Sequence, residues 1–180
     1  MLLTPHPESP SDNVRALEAE VSWAKDGALA FTYALKGDLS RLEIPPPRPP
    51  ARADGLWRHT CFEAFVSLED DSAYYELNFA PSGEWAFYRF DRYREMAPIA
   101  EISPPEIGVR RVKDGLELDA LVDAGRLNLS RKSGRLKLAL SAVIEDGGGA
   151  LSYWALKHAP GKPDFHHPDA FTLELEPWNA

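Results

Sequence analysis

Three polar side chains, Glu63, Glu76 and Asn78, sit among apolar and aromatic residues in strand-like segments and are the first that could do chemistry. Glu76 and Asn78 lie in Tyr74-Tyr75-Glu76-Leu77-Asn78-Phe79-Ala80-Pro81-Ser82-Gly83-Glu84-Trp85-Ala86-Phe87-Tyr88-Arg89-Phe90. Alternation puts both on one strand face with Tyr74, Tyr88 and Phe90, and leaves Tyr75, Leu77, Phe79, Trp85 and Phe87 on the other. Pro81 suits the second position of a type I turn and Gly83 the left-handed residue after it. The segment therefore predicts a three-residue hairpin that pairs Asn78 with Ala86 and Glu76 with Tyr88. A two-residue loop would instead bring Trp85 and Arg89 onto the polar face. In the preceding segment Cys61, Glu63, Phe65 and Ser67 alternate with the stripe Phe62, Ala64, Val66 and Leu68, so Glu63 can join the same sheet surface. Carboxylates and an amide framed by rings suit a sugar, because rings offer flat apolar area while the polar groups exchange hydrogen bonds with hydroxyls. The same alternation also describes an ordinary solvated sheet face.

Other residues could join this chemistry. Trp57-Arg58-His59 enters the strand that holds Glu63, where an indole and a cation could clamp a ring or an anionic group. Trp154 and His158 precede Pro163-Asp164-Phe165-His166-His167-Pro168-Asp169. His158, His166 and His167 with Asp164 and Asp169 could build a metal site, yet their spacing matches no established metal motif, so no metal is expected. Glu63, Glu76 and Glu84 supply carboxylates without fixing the separation that a glycosidase needs, and Cys61 reads as a small core residue. Gly147-Gly148-Gly149 lacks the lysine and helix of a phosphate loop. No catalytic residue is expected.

These groups need strands to position them. Val14 to Trp23 and Ala28 to Leu35 flank Lys25-Asp26-Gly27, and Ile107 to Val112 and Leu116 to Val122 flank Lys113-Asp114-Gly115. Both read as hairpins. Pro45-Pro46-Pro47-Arg48-Pro49-Pro50 reads as a stiff extended connector. Further strands fall near residues 60–68, 73–80, 84–91, 135–144, 151–156 and 170–176, which makes roughly ten strands and no long helix. The fold class is all-β, an antiparallel two-sheet β-sandwich, in one domain spanning residues 1–180 with residues 1–12 as an extended N-terminal arm.

Composition narrows the functions. The 180 residues carry a formal charge of −8 without any basic run longer than a pair, which argues against nucleic acid and anionic membranes. No apolar run approaches the ~20 residues of a membrane helix. The N-terminus shows no secretory signal, and Cys61 alone cannot form an internal disulfide, so the cytoplasm is the expected compartment.

Leu56-Trp57-Arg58-His59-Thr60-Cys61-Phe62-Glu63-Ala64-Phe65, the stretch Tyr74 to Phe90, and Pro163 to Asp169 together resemble uncharacterised bacterial DOMON-like domain proteins. These belong with the family 9 carbohydrate-binding-module-like sandwiches. The resemblance spans nearly the whole chain and implies an immunoglobulin-like or jelly-roll sandwich with a ligand face on one sheet. Some members of the wider group bind sugars between two tryptophans, and others bind b-type haem through Met and His or Lys. For haem this chain would have to bring His158 or His166 to Met96.

The expectation is a non-catalytic module that binds a small carbohydrate or sugar-like ligand through Trp57, His59, Glu63, Glu76, Asn78, Tyr88, Trp154, His158 and His166. A haem-binding electron-transfer domain and a metal-dependent enzyme built on the C-terminal histidines are the alternatives. No cofactor is expected, haem b being the one to test, and nothing in the sequence names a protein partner.

Overall fold

Period-two burial runs through the strands and decides which side chains meet. In the computed structural model, which describes residues 1–69, 71–99, 102–127, 129 and 134–178, strands β1 (Leu2–Pro5), β2 (Val14–Trp23) and β3 (Leu29–Gly37) come first. The middle of the chain supplies β4 (Cys61–Leu68), β5 (Tyr74–Phe79), β6 (Trp85–Arg92) and β7 (Glu95–Ala97). Strands β8 (Glu106–Val112), β9 (Gly115–Val122), β10 (Leu136–Glu145), β11 (Leu151–Ala155) and β12 (Leu173–Leu175) follow. Between them the described residues hold only 3-10 turns and no α-helix. None of these helical turns is long and apolar enough to cross a membrane. Strands β1 and β7 had no counterpart in the sequence reading; each is short, and neither alternates visibly.

Every pairing between these strands is antiparallel, in the order β7-β6-β5-β4-β10-β11-β1-β2-β3-β9-β8, with β12 against β10. The two separate sheets expected from the sequence are thus one hydrogen-bonded path. β1, within the expected N-terminal arm, is the link. Its Leu2 and Leu3 pair with Glu18 and Leu17 of β2, while Thr4 and Pro5 pair with Ala155 and Trp154 of β11. Four residues are enough to change partners, since a strand can offer one half to each neighbour.

The path doubles back, so its two ends share a core. The ring of Phe31 on β3 lies 5.7 Å from that of Phe79 on β5, and Tyr33 lies 5.0 Å from Phe62 on β4. The Tyr33 hydroxyl donates to the Glu63 carbonyl oxygen at 2.7 Å, across the core. A buried phenol needs such a partner. Strand β10 is buried on both faces, because a second, smaller apolar cluster covers its far side with Phe65, Tyr74, Phe90 and Phe165. The site lies on that far side.

The hairpin over β5 and β6 has the expected three-residue register, with Asn78 opposite Ala86 and Glu76 opposite Tyr88. Gly83 takes φ +90° there. The two Lys-Asp-Gly turns differ in cause. Asp26 and Gly27 both have positive φ, as a tight turn requires. Gly115 does not; it is needed because a Cβ there would sit 1.8 Å from the Leu35 carbonyl oxygen on β3. We expect Gly115→Ala to destabilise the protein by about 2–3 kcal/mol, as overpacking does. Gly108→Ala, where a Cβ would meet nothing within 4 Å, should change stability by no more than about 0.5 kcal/mol. Urea unfolding of the two variants checks the contrast.

Candidate functional site

β4 and β5 place the polar group by register alone. Glu63 pairs with Asn78, and Phe65 pairs with Glu76, so the two carboxyls are diagonal neighbours on one face. On the other flank Glu63 pairs with Ser141 of β10. The sequence reading turned this face outward, but the structure buries it. Glu63 is 3% exposed, Glu76 5% and Asn78 0%. The physical reason is the C-terminal segment, whose Phe165 and Phe171 pack against Phe65 and Tyr74.

The cover is incomplete and leaves a cavity of about 940 Å³. Its walls include Glu63, Glu76, Phe65, Tyr88, Phe90 and His166, with Trp57 and Lys162 among its exposed residues. The Asn78 amide donates to Glu76 Oε1 at 2.7 Å. His166 Nε2 stands 3.6 Å from Glu76 Oε2, and its Nδ1 is 2.9 Å from the Tyr74 hydroxyl. Tyr74 stacks on Phe90 at 4.9 Å, and His166 meets the ring edges of Phe65 and Phe90 at 5.0 Å each. Near the mouth, the Tyr88 hydroxyl donates to Asp54 at 2.9 Å, and the Arg58 guanidinium lies over the Trp57 ring.

Burial dominates the electrostatics. It pushes the Glu63 carboxyl well above the usual carboxylate range, and the neighbouring Glu76 pushes it further. Burial raises Glu76 too, against the Asn78 amide and Arg94, which oppose the rise. His166 is held down to about 4, first by burial and then by the Arg94 charge, with Asp164 pulling the other way. Burial also raises the Cys61 thiol well above its ordinary value, which leaves it a poor nucleophile.

The structure gathers five of the nine expected residues around the cavity: Trp57, Glu63, Glu76, Tyr88 and His166. Asn78 touches it only through Glu76. Three lie elsewhere. Trp154 is 4% exposed and belongs to the main core on the opposite face, its indole nitrogen donating to Ser152 at 3.0 Å. The alternation of β11 forces that, because Trp154 pairs with core-facing Ala142. His59 points to the surface, with Nδ1 2.7 Å from Glu145 Oε2. His158 meets the Thr4 carbonyl oxygen at 2.8 Å and the ring of His6 at 4.9 Å, outside the cavity wall. Among the described residues no group of three or more His, Cys, Asp or Glu is placed to hold a metal ion.

Sequence reasoning missed Arg52, Arg89, Arg94 and Lys162, which also line the cavity. Arg94 has φ +56° and donates to Asp164 at 2.7 Å, which fixes the C-terminal segment over the β6–β7 turn. Its only sequence signal is its place beside Tyr93, which donates to the same carboxylate at 2.6 Å.

No family model matches the chain, and no curated protein does. A solved structure from Bacteroides uniformis, provisionally described as a carbohydrate-binding protein, superposes with a TM-score of 0.64 at 13% identity. The match covers 94% of this chain and 83% of that one. At that identity the likeness is one of fold alone.

His166 gives the site an acid-side signature. Its folded value of about 4 lies below the ordinary 6.5, so its contribution to stability is complete above 6.5 and is lost as pH falls through 4. We expect the stability difference between wild type and His166→Phe to shrink by about 3 kcal/mol between pH 7 and pH 4. Denaturant unfolding across that range measures it.

Proposed function

We propose that this chain is a non-catalytic module that binds a small sugar-like ligand in the cavity between the β4–β6 face and its C-terminal cover. One observation carries the reading: Glu63 and Glu76, the latter steered by Asn78, open into a cavity of about 940 Å³ walled by Tyr88, Phe90 and Phe165. Rings can lie along the C–H faces of a sugar, and carboxyls can take up its hydroxyls. Trp57, 45% exposed, supplies a stacking surface near the mouth. The shared fold with the provisionally carbohydrate-binding Bacteroides protein supports this direction. We read the doubled-back sheet as a β-sandwich of the DOMON-like, family 9 carbohydrate-binding-module kind.

A ligand entering beside Trp57 should change intrinsic tryptophan fluorescence. We expect at least one member of a mono- and disaccharide panel to bind, and Trp57→Ala to weaken it about fivefold or more, in line with a lost stacking contact of about 1 kcal/mol. A silent panel with both proteins would remove the proposal.

One arrangement favours a second reading, haem binding, because Met96 and His166 line the same cavity. Against it, both His166 nitrogens face protein groups, Tyr74 and Glu76. Ligation would have to break one of those contacts. Absence of a Soret band after haemin is added disposes of this reading.

A further inference from the structure

Glu63 has a need that neutral hydroxyls meet only in part. Its Oε1 is buried, has no hydrogen-bond partner among the described residues, and belongs to a side chain that lines the cavity. Ser141, its register partner on β10, is 1% exposed, and its Oγ is likewise unpartnered. The groups facing the carboxyl pair come from every element around it. They are Tyr33 on β3, Cys61 on β4, Tyr74 and Asn78 on β5, Tyr88 on β6, Arg94 in the β6–β7 turn, and His166 on the C-terminal segment.

None of these gives Glu63 a counter-charge. Arg94 is held by Asp164 and acts on Glu76. His166 is neutral at physiological pH. Arg52 and Arg89 are paired with Asp54 and Asp91, and Arg58 and Lys162 are exposed to solvent that screens them. Two carboxyls buried side by side do not both ionise unless a cation joins them. The aromatic rings around them, Phe65, Tyr88 and Phe90, suit a cation as well as a sugar face.

We infer that the ligand presents a protonated amine to Glu63 and Glu76, which makes an amino sugar the class this cavity takes. The inference rests on the sugar-binding reading and narrows it. On binding, the ammonium replaces the proton held by the carboxyl pair, and that proton leaves to solvent; the charge buried stays balanced. Affinity for the amine therefore rises with pH as the pair yields its proton, until the ligand amine loses its own.

Titration calorimetry of the full chain at pH 6, in two buffers of different ionisation enthalpy, tests this with glucosamine, glucose and N-acetylglucosamine. We expect glucosamine to bind about tenfold or more tightly than the two neutral sugars and to release roughly one proton per ligand. Glu63→Gln should erase both the preference and the proton release, with a thermal melt confirming that the variant folds. Glu76→Gln takes its place if it does not. Glucose binding as tightly as glucosamine, without proton release, overturns the inference and leaves the sugar reading standing. No binding by any of the three overturns the inference, and the sugar reading falls with it only when the wider saccharide panel is silent too.

Discussion

Two carboxyls on a covered sheet face set the terms for everything around them. An ionised carboxylate in a dry interior is expensive, and a second one nearby makes it worse. The fold answers for Glu76, which has the Asn78 amide at 2.7 Å, His166 at 3.6 Å and the field of Arg94. It does not answer for Glu63. That asymmetry is hard to explain as structure alone, because an apolar residue beside Ser141 would pack without leaving an acceptor bare.

The cover over this face is an assembly of rings and one ion pair. Phe165 and Phe171 close over Phe65 and Tyr74, and the Arg94–Asp164 contact, joined by Tyr93, fastens the segment at its edge. Because Asp164 also accepts from the His166 backbone N–H, the same carboxylate that fastens the cover holds the backbone from which the imidazole enters the cavity. Burial opposes the ionised form of Asp164, but the hydrogen bonds from Tyr93 and Arg94 outweigh it and keep the carboxyl below its usual range. Shape and charge of the cavity are thus tied to one contact between distant parts of the chain.

The opposite face of the same strands works by different rules. There Phe62, Leu77, Phe79 and Phe87 meet Phe31 and Tyr33 from the far end of the strand path. The Tyr33 hydroxyl reaches the backbone of Glu63 from that side. The strand carrying the unpaired carboxyl is therefore held rigidly from behind, so the side chain can be aimed into a cavity while its backbone is fixed by the core.

Local pattern was enough for several things. Alternation assigned Glu63, Glu76, Asn78 and Tyr88 to one face and the core stripe to the other, and Pro81 with Gly83 fixed the hairpin register. These are short-range steric rules that a sequence carries within a few residues. Other features depend on contacts between residues far apart in the chain, which no period encodes. Only the folded chain shows that β1 changes partners halfway along four residues, joining what read as two sheets. Trp154 reads from the sequence as a ligand-face residue like Trp57, yet the pairing of β11 turns it into the core. His158 and His166 lie eight positions apart in one loop, and only the latter enters the cavity. Above all, the polar face becomes a cavity floor because the segment from Pro163 to Phe171 folds over it, and burial converts a pair of carboxyls from decoration into a candidate site.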